Sequence, residues 1–151
     1  MTVKKYYPHL LAGLGAGLTI GLLAFFDTLQ SDYLLLMAPF GASTVLVFGV
    51  PDSPLAQPKN VIFGHVLTAF IGLCFLHFVG VTPLTMGVAT GLGVSAMLLT
   101  GTTHPPAGAN PVLIMLTAPS WSFIVTPVLA GAIFVVLIGK IFKSLRQKLP
   151  A

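Results

Sequence analysis

An all-α integral membrane fold, built from six hydrophobic segments in two related sets of three, is what this sequence predicts. Three observations carry that prediction. The 151 residues are 56% hydrophobic and only 7% charged, with a mean hydropathy of +0.99, so the chain has too little charge to cover a water-facing surface. Its apolar runs fall at 10–26, 33–50, 60–79, 83–100, 107–117 and 121–142, each bounded by polar residues, Pro or Gly. Two of the six, the second and the fifth, are interrupted by similar Pro/Gly sequences.

Taken in order, the first, third, fourth and sixth runs are long enough to cross a hydrocarbon core of about 30 Å, which takes roughly 20 helical residues. The first has no small-residue cleavage site behind it and reads as a retained helix. The second and fifth keep only about ten residues of unbroken helix, roughly 15 Å. They read as half-helices. Pro39-Phe-Gly-Ala-Ser-Thr-Val-Leu-Val-Phe48 aligns without gaps on Pro106-Ala-Gly-Ala-Asn-Pro-Val-Leu-Ile-Met115, an offset of 67. The same offset pairs Ser53 with Ser120, Val61 with Val128, Gly64 with Gly131, and Ile71-Gly72 with Ile138-Gly139, ten identities over positions 39–72. Proline and glycine paired at a fixed offset point to an internal duplication, approximately 10–75 and 80–145, within a single transmembrane domain 1–151.

Three crossings per repeat make the second copy inverted. With both termini cytoplasmic, Lys4, Lys5, Lys59, Lys140, Lys143, Arg146 and Lys148 lie inside while Asp27 and Asp32 lie outside, which obeys the positive-inside rule. The alternative is four transmembrane helices plus two re-entrant segments, which strands Lys59 outside. The basic balance thus reads as membrane topology, inner (plasma) membrane, and not as nucleic-acid binding. Small residues at four-residue spacing (Gly13/Gly17/Gly21, Gly64/Thr68/Gly72, Gly87/Gly91/Ser95) allow close helix approach in lipid. They serve packing within the protomer, a subunit interface, or both. So small a chain has little interior, and a homo-oligomer is expected.

The stretches APFGASTVLVF (38–48), SPLAQPKNVIFGH (53–65) and THPPAGANP (103–111) resemble the signature blocks of the HPP family of integral membrane proteins, in the same order and spacing. The resemblance covers nearly the whole chain. It implies four membrane helices and transport of a small anion, nitrite being the solute linked to some relatives. Asn110-Pro111 departs from the Thr-Ala pair expected at those positions.

Candidate site residues gather at the two breaks. Helices beginning there would leave the N–H groups of Gly41, Ala42 and Ser43, and of Gly108, Ala109 and Asn110, without carbonyls four residues back. Two such helix starts near the midplane, with no carboxylate close by, would hold an anion, with Thr44 beside the first. The plainer reading makes the breaks kinks capped by Ser43, Thr44 and Asn110. His104 is an ionisable group at membrane depth, a candidate gate or proton donor; otherwise it is a neutral ring bonded to a carbonyl freed by Pro105 or Pro106. Pro39, His65, Thr68, Pro105 and Pro106 would line the pathway, and Gln57, Lys59 and Asn60 would form an electropositive mouth, unless Lys59 is only a topology anchor. His9 and His77 read as interfacial, as do Trp121 and Tyr6/Tyr7. Cys74, the only cysteine, reads as buried packing. No paired carboxylates, Ser-His-Asp set, phosphate loop or metal-ligand spacing is present. No enzyme activity, metal or cofactor is expected.

Overall fold

The computed structural model describes residues 6–29 and 35–148. Lys4, Lys5 and Asp32, used above for topology, lie outside them. Among the described residues the chain is helical with no strand, and four helical stretches are long and apolar enough to cross a membrane: Tyr7–Leu29, Pro58–Val79, Pro83–Thr100 and Trp121–Gln147. The shorter apolar helix Ala38–Gly49 stands between the first two.

Helix α1 spans Tyr7–Leu29. The second segment begins as α2 (Ala38–Thr44), which widens into a π turn over Val45–Gly49. Asp27 ties down the approach to α2 by accepting from the backbone N–H groups of Leu35 and Leu36. A one-turn 3-10 helix, Pro54–Ala56, leads to α3 (Pro58–Cys74), whose last turn widens through Val79. Helix α4 (Pro83–Thr100) begins with a reciprocal Thr82/Thr85 capping box and Pro83 in its first turn, and ends at Gly101 with φ +62°. A 3-10 stretch, Pro105–Ala109, feeds α5 (Asn110–Thr117). After another 3-10 turn at Trp121–Ile124 and a break at Thr126, α6 runs over Ala130–Lys148.

Two expectations about local structure are corrected. Helix α2 starts at Ala38, with Pro39 in its first turn, and not at Gly41. Proline is well suited to a first turn because the N–H it lacks would be unpaired there. Ala42 and Ser43 therefore have helical carbonyls four residues back. In the second break Asn110 N–H reaches the Ala107 carbonyl, three residues back in the 3-10 stretch. Nor does a side chain cap α2 or α5. Thr44 bonds backward instead, to the Gly41 carbonyl at 2.7 Å, and Ser43 Oγ lies 3.2 Å from the Pro39 carbonyl oxygen.

The core is built where α2 and α5 pack on the long helices α3 and α6, around Phe40, Val61, Leu73, Ile114, Val128 and Val135, all fully buried. Glycines set these approaches. A Cβ on Gly64 would stand 2.9 Å from the Thr102 carbonyl oxygen, and one on Gly131 would stand 2.6 Å from the Leu35 carbonyl oxygen. Both members of the first pair are 67 residues from their counterparts in the second. The relation recurs where Gly72 meets Ile114 and Gly139 meets Val47. The broken helix of each half thus packs on the long helix of the other.

Helices α1 and α4 sit outside this core and bury equivalent thin stripes, Gly15/Thr19/Leu23 and Ala89/Gly93/Met97. Among the small-residue faces, Gly64 and Gly72 make the close contacts expected of them. Gly13, Gly17, Gly21, Gly87 and Gly91 are different: among the described residues a methyl group added to any of them would meet nothing within 4 Å, so these faces are left unfilled by them. At one end of the molecule Pro8, Leu11 and Ala12 of α1 meet Phe48, Pro51 and the Phe142–Arg146 end of α6. Trp121 marks the other end, stacked on His77 at 5.3 Å.

Candidate functional site

A polar cluster sits inside this apolar core, and its side chains come from four different parts of the chain. Helix α2 supplies Ser43, α3 supplies His65 and Thr68, the loop after α4 supplies His104, and α5 supplies Asn110. All five are fully buried. Gly64 makes the assembly possible: because it has no side chain, the Thr102 carbonyl and the His104 Cβ can approach α3 one residue before His65, the latter to 3.0 Å from where a Cβ on Gly64 would stand. Asn60 holds the same loop by donating to the Thr103 carbonyl at 2.9 Å.

The hydrogen bonds run in one direction, and the fixed donors and acceptors at the two ends determine it. Asn110 Nδ2 lies 3.0 Å from the His65 carbonyl oxygen, 3.0 Å from Thr68 Oγ1 and 3.1 Å from His65 Nδ1. Reversing the amide would set two oxygens against each other, so the nitrogen is the donor and His65 Nδ1 accepts. His65 then carries its proton on Nε2 and donates to Ser43 Oγ at 2.9 Å. Ser43 in turn donates to His104 Nε2 at 2.8 Å. His104 closes the chain by donating from Nδ1 to the Leu55 carbonyl at 2.8 Å. That carbonyl is available because Pro58, three residues on, has no N–H to offer it.

The result is a connected relay from Asn110 through His65, Ser43 and His104 to Leu55, with two neutral imidazoles 5.0 Å apart between ring centroids. Phe40 closes over His65 edge-on at 5.2 Å. Asn110 Oδ1 is buried and takes no donor among the described residues. No group of three or more His, Cys, Asp or Glu side chains placed to hold a metal ion occurs among the described residues. Chemically, the relay can store a proton on an imidazole or pass one between rings by a concerted shift through the Ser43 hydroxyl. A positive charge created there would have no carboxylate beside it among the described residues: Asp27 is engaged with Leu35 and Leu36, and Asp52 is exposed.

Of the candidate residues, Ser43, His65, Thr68, His104 and Asn110 come together. Pro39, Thr44 and Pro106 are buried close by in sequence, while Pro105 is exposed. Gly41, Ala42 and Ala109 are exposed and Gly108 is half-buried, so these four stand outside the buried cluster. The electropositive mouth is also divided. Gln57 lines a cavity of about 170 Å³ with Lys140 and Lys143. Lys59 and Asn60 turn instead toward the loop after α4, Lys59 Nζ standing 3.9 Å from where a Cβ on Gly101 would be. Lys143 pairs with Asp52 at 2.7 Å. That contact and the nearby Arg146 hold the exposed Asp52 carboxyl below its ordinary titration range, the Lys143 hydrogen bond being the larger cause. Sequence reasoning missed the Leu55 carbonyl, which no motif marks. It also missed Lys140 and Lys143 as cavity residues, although Val136, Gly139, Lys140 and Lys143 share one face at helical spacing. Cys74 is half-buried, less enclosed than expected.

Two transmembrane proteins of Dictyostelium discoideum are similar to this chain, 34% and 31% identical over 139 residues. The match takes in 87% of this chain and 49% and 45% of those proteins, so the chain spans about half the length of the curated relatives it matches. No solved structure matches it. The family description "HPP, transmembrane region" covers residues 1–150, a match that takes in all three signature blocks and every residue of the buried relay. The chain belongs to the HPP family of integral membrane proteins.

Proposed function

We propose that this protein is a membrane transporter or channel for a small monovalent anion, nitrite being the family-level expectation, and that the anion moves with a proton. One observation carries the reading: the Ser43 hydroxyl bridges two buried imidazoles, His65 Nε2 at 2.9 Å and His104 Nε2 at 2.8 Å, with no carboxylate beside them among the described residues. Ionisable side chains at membrane depth are costly and are retained for function. Protonating either ring would create a buried cation, and a bound anion is the natural partner for it. The cavity beside Gln57, Lys140 and Lys143 includes Ala56, next to the carbonyl that holds His104. It supplies a basic approach to the relay. No chemical conversion of the solute is proposed.

The architecture we propose for it is a 3+3 inverted repeat with both termini in the cytoplasm. The reciprocal glycine contacts across the 67-residue offset support it. The contacts of the second segment agree with it: its Leu35 end lies against Gly131 and its Phe48 end beside Pro8 and Phe142. The unfilled glycine faces of α1 and α4 suit self-association in lipid.

Flux into liposomes of nitrite, nitrate, formate and chloride, each under an imposed pH gradient, tests the reading. Anion uptake accelerated by inward proton movement is the expected result. Passage of urea or glycerol alone would replace it with a neutral pore. Binding without flux would make the protein a membrane sensor or assembly subunit.

A further inference from the structure

On the flank of α3 turned away from the relay, a groove of about 540 Å³ opens to the surroundings. Helix α3 forms its floor with Lys59, Phe63, Val66, Leu67 and Phe70, residues on one face at helical spacing. Thr100 and Thr102 wall it at the Lys59 end, and Ile124 stands farther along. Apart from that one end, the lining is apolar. From these features we infer that the groove seats one acyl chain of an anionic phospholipid, with the headgroup phosphate on Lys59.

Charge and length both select this occupant. Lys59 is exposed and has no ion-pair partner among the described residues. Its ammonium nevertheless stands 3.9 Å from where a Cβ on Gly101 would be, at the C-terminal end of α4, where the helix dipole favours a cation. The groove therefore ends in a positioned positive charge at the polar end of a membrane-spanning helix. Anionic lipid headgroups are drawn to such residues. From Lys59 to Phe70 is eleven residues of helix, a rise of about 16 Å. Half of a hydrocarbon core of about 30 Å is about 15 Å. The apolar floor thus matches the depth of one leaflet. The seated lipid would press on Thr102, two residues before His104.

Trp121, the only tryptophan, lies 6.1 Å from Phe70 between ring centroids, beyond the deep end of the groove, and reports occupancy without a label. The full chain is placed in phosphatidylcholine bilayers containing a small fraction of phosphatidylglycerol brominated near the acyl terminus. The control carries the same fraction of phosphatidylcholine brominated at the same position. The anionic lipid is expected to quench Trp121 more strongly than the zwitterionic one. Lys59→Gln should abolish that excess, Lys59→Arg should keep it, and Val66→Phe should reduce it by filling the floor while leaving the charge. Equal quenching by both lipids in the unaltered protein would overturn the inference, as would an excess that survives Lys59→Gln. So would disulfide formation between two copies of Phe63→Cys in a Cys74→Ala background, since the occupant would then be another protomer.

Discussion

Ser43 and His104 lie 61 residues apart and are joined by a 2.8 Å hydrogen bond inside the apolar core. The same hydroxyl takes the His65 Nε2 proton, so one oxygen connects an imidazole from each half of the chain. Removing it should be felt twice. Ser43→Ala leaves a buried donor on His65 and a buried acceptor on His104, each at a cost of about 1–3 kcal/mol. The variant is expected to unfold earlier in a detergent titration and to lose most of its anion flux. A variant with unchanged stability and flux would remove the relay from the mechanism.

His104→Gln keeps a hydrogen-bonding side chain of similar reach but cannot take up a proton. It should fold, keep the oligomeric state of the parent and lose most of the pH dependence of anion flux, which in the parent is expected to rise as pH falls. Liposome flux measured from about pH 5 to 8, with size-exclusion profiles alongside, checks this. An unchanged pH profile in His104→Gln, together with an unfolded His104→Ala, would reduce the residue to a structural tie between α2 and the Leu55 carbonyl.

The two halves make a paired prediction about packing. Gly64→Ala and Gly131→Ala each drive a methyl against a carbonyl oxygen of the other half, at 2.9 Å and 2.6 Å, and Gly131→Ala also meets the Phe40 ring. Overpacking of this kind costs about 1–3 kcal/mol, with the larger loss expected at Gly131. Gly13→Ala, Gly17→Ala and Gly87→Ala meet nothing among the described residues of the protomer. Thermal unfolding in detergent should leave these three near the parent, and any loss specific to them should appear in the oligomer.

Asp52 and Lys143 form a solvent-exposed pair. Because the carboxyl's folded-state titration is lowered by Lys143, its contribution to stability is present above the unfolded-state value and is lost as pH falls through the lowered one. Carboxyl carbon chemical shifts followed through the acid range should show Asp52 titrating below an ordinary aspartate, and Lys143→Gln should return it toward normal. An exposed pair adds little to stability, so Asp52→Asn is expected to leave unfolding almost unchanged.

Topology is open to direct measurement. In a Cys74→Ala background, Ser53→Cys should react with an impermeant thiol reagent only from the cytoplasmic face, and Thr82→Cys only from the opposite face. Ser53→Cys labelled from outside would replace the inverted repeat with four spans and two re-entrant segments.

Much of this protein is legible without coordinates, because membrane insertion depends on quantities that add along the chain. Hydropathy over about 20 residues separates the four long helices from the broken stretches, and Pro39, Pro106 and their glycines announce where helical runs are interrupted, though not the residue at which each helix starts. The 67-residue offset is visible for a related reason: Gly64 and Gly131 each face a carbonyl that no side chain could approach, and such a position tolerates few residue types. What the local sequence does not carry is rotation. With Pro39 in the first turn of α2, instead of before it, Gly41 and Ala42 turn outward and Ser43 inward. Gln57 precedes α3 in extended conformation and Lys59 sits in its first turn, so neighbours in sequence face different cavities. The meeting of Ser43, His65, His104 and Asn110 depends on how four elements cross, and that is decided by which glycine surfaces let backbones touch. A hydrogen bond between residues 61 apart is therefore a property of the packed molecule, since each side chain's neighbours in sequence are satisfied whether or not the bond exists.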